Sequence, residues 1–503
     1  MPSQTSMNRI IAACVYPSMT KLTSLLLFAT LFAVVAAPLH FQAQVQAQTQ
    51  ATLPSTAAGS QLVAWLAAVG SQDRATLLAY LQKNAPDRVG HIDDEFDFAR
   101  QTGGFDLRKV KECAETTCTV LLQEKKSDQF AQADIEVDPA PPHVIKKLGI
   151  QAIPRPAEFA LPAMTQSTAL DAFRSQLEKG AADGTFSGAA LVAKNGTPIF
   201  SAAYGLADRE NKIPNTLDTK FRIGSMNKMI TATAIVQLNQ AGKLQFTDTL
   251  AKFLPDYPNQ AWASKVTIHQ LLTHTGGAGD FFGPEFDKHR LELKTLEDYV
   301  KLYGKREPTF EPGTSWDYAN YGFILLGIVV EKASGQDYYE YVREHIFKPA
   351  GMTGTDSLPE DQAVPNRSVG YRHSDADPNA LVRNDDTLPY RATSAGGGYS
   401  TVGDLLAFAN AIENHKLLDA AHTELLVTAK ADTPGGRKYA YGFFNRTLPN
   451  GVACFGHGGG APGMNGELAI CPASGYTVVV LSNLDPPAAS RMADFIENRL
   501  PEK

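Results

Sequence analysis

A serine three residues ahead of a lysine, Ser225-Met226-Asn227-Lys228, is the pair in this chain best placed to do chemistry. A serine hydroxyl needs a base within hydrogen-bond reach before it becomes a nucleophile, and a lysine of lowered pKa can be that base. The extended run from Thr219 to Ile223 meets Gly224, and then Met226, Met229, Ile230, Ala234, Ile235 and Leu238 recur at helical spacing. Ser225 therefore stands at a helix start with Lys228 one turn on. Residues i and i+3 share a helix face, and the free N–H groups there disfavour a protonated amine. By itself the tetrapeptide is weak evidence. Ser18 to Lys21 repeats it, and a helix cap with an exposed lysine beyond it is the simpler explanation.

The 503 residues, 44% hydrophobic and 20% charged, suffice for two or three domains. A net charge of −7, with no basic run interleaved with aromatics, argues against a nucleic-acid partner. Residues 1–47 read as an export signal: Lys21 precedes the apolar run Leu25 to Ala37, and Ala36, Ala37, Ala43 and Ala47 offer cleavage points. Met19 is an alternative start, and an uncleaved anchor the alternative reading. The run is too short for a comfortable membrane span, so a periplasmic or secreted bacterial protein with no integral span after cleavage is expected. Of five cysteines, Cys14 leaves with the signal. Cys113 and Cys118 bracket a tight turn, and Cys454 and Cys471 flank a glycine-rich segment. Disulfides 113–118 and 454–471 are expected, with four unpaired thiols as the alternative. Neither Cys-x-x-Cys nor His-Glu-x-x-His occurs, so no metal and no cofactor is expected.

Helical spacing in 61–66 and 75–81, followed by alternation in 105–110, 118–123, 130–137 and 143–153, predicts a small α+β domain over 50–153. It distantly resembles the cystatin-like and nuclear-transport-factor-2-like folds in its order of elements alone. No convergent polar set marks a site in it, so a bracing role is favoured. The proline-rich stretch 154–165 is the linker. Over 166–503 the pattern predicts a helix, Thr168 to Gly180, and strands Ala189 to Ala193 and Pro198 to Ala203 around Lys194-Asn195-Gly196, a hairpin signal. After a helical middle (245–425) come strands Tyr441 to Arg446, Val452 to Gly456, Gly466 to Cys471 and Tyr476 to Leu481, then a helix from Ala488. A mixed sheet pairing the first hairpin with the last strands, plus a helical subdomain, follows, with the cleft between them as the expected site.

Several further stretches stand in one order: Tyr204-Gly205-Leu206-Ala207-Asp208, Phe221 to Ser225, Leu271-Leu272-Thr273-His274-Thr275-Gly276-Gly277, Glu311-Pro312-Gly313 through Tyr318-Ala319-Asn320, Ala395-Gly396-Gly397-Gly398-Tyr399, and Gly456-His457-Gly458-Gly459-Gly460. Together they give residues 166–500 a resemblance to the serine β-lactamase and penicillin-binding-protein superfamily, on its class C and esterase side. Flanks and order separate Tyr318 to Asn320 from a second Tyr-x-Asn at Tyr257, and His457 from a second His-x-Gly at His274. The resemblance implies an α/β (mixed α+β) fold of the β-lactamase/transpeptidase type: an antiparallel sheet flanked by helices, plus a helical subdomain, behind the small α+β domain.

The resemblance also implies roles. Ser225 becomes acylated, Lys228 and Tyr318 share the proton transfers, and Asn320 orients Lys228 and the substrate. The N–H groups of Ser225 and Gly460 form an oxyanion hole, worth about 3–4 kcal/mol per donor in other enzymes. His457 and Gly459 line the substrate. His274 is read as structural and Trp316 as core. Members that hydrolyse β-lactams carry Lys-Thr-Gly where this chain has His457-Gly458-Gly459. A histidine with its ordinary pKa near 6.5 is only partly charged at neutral pH, and the hydroxyl is gone, so recognition of a substrate carboxylate should weaken. The expectation is an exported hydrolase of a small-molecule ester, amide or peptide substrate. A true β-lactamase or DD-peptidase acting on cell-wall peptide is the alternative, and an idle binding protein of the same fold is the alternative of another class.

Overall fold

The structure, a computed structural model, describes residues 51–502 except 375, 376, 378, 379 and 435. The export segment expected over 1–47, with Cys14 and Met19, lies outside the described residues. The described chain forms two compact units, one of residues 51–125 and 132–150, the other of 126–131 and 151–502.

In the first unit, helices α1 (Ala57–Gly70), α2 (Arg74–Asn84) and α3 (Ile92–Thr102) precede a meander, β1 (Phe105–Cys113), β2 (Thr117–Glu124), β3 (Phe130–Val137) and β4 (Ile145–Ile153), in the order β1-β2-β3-β4. Thr56 and Asp73 cap α1 and α2 by accepting from backbone N–H groups one turn on. A disulfide joins Cys113 to Cys118 across the β1–β2 turn, their Cα atoms 4.1 Å apart.

The architecture of the second unit can be read off one strand. In β5 (Gly188–Lys194), Ala190 and Val192 face one core while Ala189, Leu191 and Ala193 face another. Successive side chains of a strand point to opposite faces, so this apolar run requires cover on both. β5 pairs with β6 (Thr197–Tyr204) through Asn195 and Gly196, whose φ angles of 49° and 75° give the primed turn that Asn-Gly favours. The other strands are β7 (Ala431–Asp432), β8 (Lys438–Tyr439), β9 (Phe444–Thr447), β10 (Ala453–Ala461), β11 (Met464–Cys471) and β12 (Tyr476–Ser482). They complete an antiparallel eight-stranded sheet in the order β7-β8-β9-β10-β11-β12-β5-β6. Thus the chain's last strands pair with its first hairpin, and Cys454 and Cys471 form a disulfide between β10 and β11.

One face of the sheet is covered by α4 (Gln166–Ala182) and α8 (Ala488–Glu497), where Phe173, Leu177, Met492 and Ile496 meet Val478 and Val480. The other is covered by the helical subdomain, including α5 (Asn227–Gln240), α6 (Asn320–Ser334) and α7 (Val402–Glu413). Asn227 to Val236 are all buried in α5, as suits a helix enclosed on every side. No helix among the described residues is long and apolar enough to cross a membrane.

Two strands depart from the sequence pattern, both beside Ser225. Of the strand expected from Tyr441 to Arg446, only Phe444 to Arg446 is extended, as part of β9, and β8 lies ahead of the expected range. Gly442 sits between them at φ +72°, where a Cβ would lie 2.5 Å from the Lys228 carbonyl oxygen, so the chain turns against α5 instead of running straight. The strand expected to stop at Gly456 continues to Ala461 as β10; glycines carry no side chain for a period-2 pattern to register.

Phe173 is fully buried against Phe200, ring centroids 5.2 Å apart, and remote from the serine. Phe173→Ala should lower stability by about 3–5 kcal/mol, measured by denaturant unfolding, and leave the activity per folded molecule unchanged.

Candidate active site

Ser225 lies in a 3₁₀ turn, Gly224–Met226, that feeds α5. Two backbones crowd this turn. A Cβ on Gly459 would lie 1.9 Å from the Ile223 carbonyl oxygen and 3.1 Å from the Ser225 nitrogen. One on Gly224 (φ +50°) would lie 2.9 Å from the Gly460 nitrogen. The Ala395–Tyr399 stretch closes the other side: Ile223 N–H donates to Gly398 O at 2.7 Å, Gly397 N–H to Gly224 O at 3.1 Å, and Gly398 N–H to Asn227 Oδ1 at 3.0 Å. Glycine is required because any side chain would hold these backbones apart. The approach sets the backbone of residues 459 and 460 against the Ser225 turn.

Lys228 is fully buried. Its Nζ donates to Asn320 Oδ1 at 2.6 Å and Ala395 O at 2.6 Å, and stands 3.2 Å from Ser225 Oγ. Burial brings its pKa down to about 7, against the opposing pull of the Asp280 carboxylate. The helix-cap explanation fails on both counts, since Ser225 caps no backbone group and Lys228 is not exposed. A neutral amine has two hydrogens and one lone pair. With two carbonyl oxygens taking the hydrogens, the lone pair is left for the Ser225 hydroxyl.

Tyr318 and Asn320 arrive from the segment leading into α6. The Lys228 Nζ lies 4.8 Å from the centre of the Tyr318 ring. Burial pushes the phenol pKa well above its ordinary value, with Ser225 pulling the other way. The Tyr318 hydroxyl is enclosed and makes no hydrogen bond among the described residues. His274, buried beneath, shapes this segment: its Nδ1 accepts from Ala319 N–H at 3.1 Å, its carbonyl accepts from Asp317 N–H at 3.1 Å, and its ring lies 4.4 Å from that of Tyr318. Trp316 is half-buried at the edge of this aromatic group, 5.9 Å from His274, and is not a core residue. The second Tyr-x-Asn is structural: Tyr257 hydrogen-bonds Tyr321, and Asn259 caps a short helix.

His457 differs from its expected state. Its Nδ1 bonds to Gly458 O and its Nε2 to the Tyr439 hydroxyl at 3.2 Å. A carbonyl can only accept, so the proton sits on Nδ1 and Nε2 accepts from Tyr439. Burial, with Lys228 and Arg437 nearby, brings the pKa down to about 3, against the Gly458 hydrogen bond. The side chain is therefore neutral at pH 7, not partly charged, and both nitrogens are occupied within the protein. Gly458 lies opposite Glu467, whose carboxylate would be 2.4 Å from a Cβ there, so a threonine hydroxyl at 458 would displace it. β9 pairs with residues 453–456 of β10 and ends. Residues 457–461 thus have a strand on one edge only among the described residues.

The structure brings Ser225, Lys228, Tyr318, Asn320, Gly459 and Gly460 together, with His457 behind Tyr318 at a ring separation of 6.2 Å. Sequence reasoning missed Asp280, Ala395 as the second acceptor for Lys228, and Tyr439. Ala395 heads a stretch that was singled out, but it acts through a backbone oxygen that its residue type does not reveal; Asp280 and Tyr439 belong to no chemical pattern and act on Asn320 and His457, 40 and 18 positions away.

Comparison with known proteins gives the family. The beta-lactamase family model matches residues 173–501, and the chain belongs to that family; its fold is that of the serine β-lactamase and penicillin-binding-protein superfamily. It is 30% identical over 318 residues to penicillin-binding protein 4 of Amycolatopsis lactamdurans, covering 59% of this chain and 80% of that one. The crystal structure of a penicillin-binding protein from Bacillus halodurans is 33% identical with a TM-score of 0.59, covering 64% of this chain and 99% of that chain. A D-stereospecific amidohydrolase from Streptomyces sp. is 28% identical with a TM-score of 0.57, covering 65% and 97%.

Gly459→Ala should push β10 away from the Ser225 turn. The expected result is loss of at least about 100-fold in kcat, the scale of losing one oxyanion donor, with a melting temperature that still reports a folded protein. Unchanged kcat would mean that the close approach does not matter.

Proposed function

We propose that this serine hydrolase cleaves ester or amide bonds through an acyl-enzyme on Ser225. The observation that carries the reading is the buried Lys228, its hydrogens held by Asn320 and Ala395 and its lone pair left for Ser225 Oγ. Lys228 takes the hydroxyl proton as Oγ bonds to the substrate carbonyl carbon, and the carbonyl π electrons move to an oxygen held by the Ser225 and Gly460 N–H groups. Collapse breaks the bond to the leaving group. Tyr318, kept a phenol by its raised pKa, gives that group a proton and regains one from the Lys228 ammonium. Water repeats the sequence on the acyl-enzyme, returning Ser225 and releasing the acid.

The electrostatics favour substrates without a carboxylate at the third motif. The third motif presents a neutral His457 in place of a lysine, and Asp280 adds a carboxylate to the Lys228 network. The likeness to a D-stereospecific amidohydrolase supports amides beside esters. The two disulfides support export to an oxidising compartment, periplasmic or extracellular.

A short-chain nitrophenyl ester, a D-amino-acid anilide and a chromogenic cephalosporin, run side by side with the mature protein and Ser225→Ala, test this reading. Ester or anilide turnover should exceed lactam turnover and vanish in the variant. The pH profile of kcat/KM should fall on the acid side with a midpoint near 7, as Lys228 protonates below its pKa. Dominant lactam turnover dependent on Ser225 would overturn the substrate reading. Failure of a fluorophosphonate to label Ser225 would favour the binding-protein alternative.

A further inference from the structure

The segment between Gly276 and Gly283 carries a carboxylate that the reaction sequence above does not use. Asp280 Oδ2 accepts from Asn320 Nδ2 at 2.8 Å, and the other end of that amide, Oδ1, accepts from Lys228 Nζ at 2.6 Å. Asp280 is itself held. Its Oδ1 accepts from Phe281 N–H at 2.6 Å and Phe282 N–H at 3.3 Å, and its carbonyl accepts from Arg306 Nη1 at 2.7 Å.

The two ends of an amide differ chemically although they are nearly equal in shape. An ionised carboxylate only accepts, so Asp280 demands the nitrogen end of Asn320 and turns the oxygen end towards Lys228. The reverse orientation would aim N–H groups at the amine. They would occupy its lone pair, and the Ser225 proton would have nowhere to go. We propose that Asp280 is a positioning residue, which fixes the Asn320 amide so that Lys228 can accept a proton from Ser225. The proposal rests on the reading of Lys228 as the base.

Asp280 has a second effect, of opposite sense. Its negative charge raises the Lys228 pKa against the larger lowering by burial. The other titratable groups around the amine are Tyr318, with its pKa raised by burial, and His274 and His457, with theirs lowered by burial. All three are neutral at pH 7, so Asp280 is the charged group that acts on Lys228. The charge and the accepting oxygens can be removed in steps. Asp280→Asn removes the charge and leaves one accepting oxygen, which can serve Asn320 or the Phe281 and Phe282 N–H groups but not both. Asp280→Leu removes the charge and both oxygens.

The test measures kcat and KM for a nitrophenyl ester from about pH 5 to 9, a span on either side of the Lys228 value of about 7, with melting temperatures for each variant. Asp280→Leu should lose about 10–100-fold in kcat, the usual scale for an outer partner, with KM within about threefold. Asp280→Asn should move the acid limb to lower pH by about one unit, because removing the negative charge makes Lys228 easier to deprotonate. A folded Asp280→Leu with wild-type kcat overturns the proposal, as does a loss confined to KM, which would make Asp280 a substrate contact; an acid limb unmoved in Asp280→Asn overturns the charge effect. If Asp280→Leu does not fold, Asp280→Ala, which also removes both accepting oxygens, decides by the same kcat and KM criteria. Ser225→Ala separates the two levels: residual turnover there would sink the acyl-enzyme reading, whereas an inert Ser225→Ala beside unaffected Asp280 variants would sink only this proposal.

Discussion

An amine buried away from solvent does not keep the pKa of an ordinary ammonium, and the site depends on that constraint. Taking Lys228 fully out of solvent makes its charged form costly, and its pKa falls to about 7. Burial alone would give an inert amine in a core. Here α6 delivers the Asn320 oxygen, the glycine-rich stretch delivers the Ala395 oxygen, and one helical turn delivers Ser225. The neutral amine satisfies both oxygens and still keeps a lone pair. An ammonium would have three hydrogens to place and nothing with which to accept a proton.

Backbone approach is the second requirement, and it explains the glycines. The Ser225 turn is enclosed by β10 on one side and by residues 395–398 on another, at separations that leave no room for a Cβ on Gly459 or Gly224. Gly442 makes a similar approach to the Lys228 carbonyl from the other end of the helix turn. The same strand carries His457, whose two nitrogens are spent on Gly458 and Tyr439. A strand that fits this closely against the serine also buries its histidine, and a buried histidine between a lysine and aromatic rings stays neutral.

The sequence disclosed the helix, the serine and the lysine because α5 is defined by local spacing, and local spacing is what a chain displays openly. Tyr318 and Asn320 were legible through their flanks, which distinguished them from Tyr257 and Asn259. The two-faced sheet was legible in the apolar runs at Ala189 to Ala193 and Tyr476 to Leu481, and the hairpin in Asn195-Gly196. Less visible was anything carried by backbone or by the far end of a network. β10 was read as ending at Gly456 because glycines show no pattern. The charge of His457 was misjudged because burial is a property of the fold, and the residue's ordinary pKa cannot anticipate it. Asp280 lies between two phenylalanines and a glycine with no motif around it, and it touches Asn320 across 40 positions of chain.

The central claim is that Lys228 is an amine poised near neutrality. It can be measured without any substrate by titrating the protein with ¹³C-labelled lysine side chains, assigning the Lys228 resonance by its loss in Lys228→Arg. The account predicts one lysine titrating with a midpoint near 7, far below the ordinary value of about 10.4. A Lys228 signal that stays charged until the pH approaches that ordinary value would contradict it, and the lone pair offered to Ser225 would not exist at the pH where the protein works.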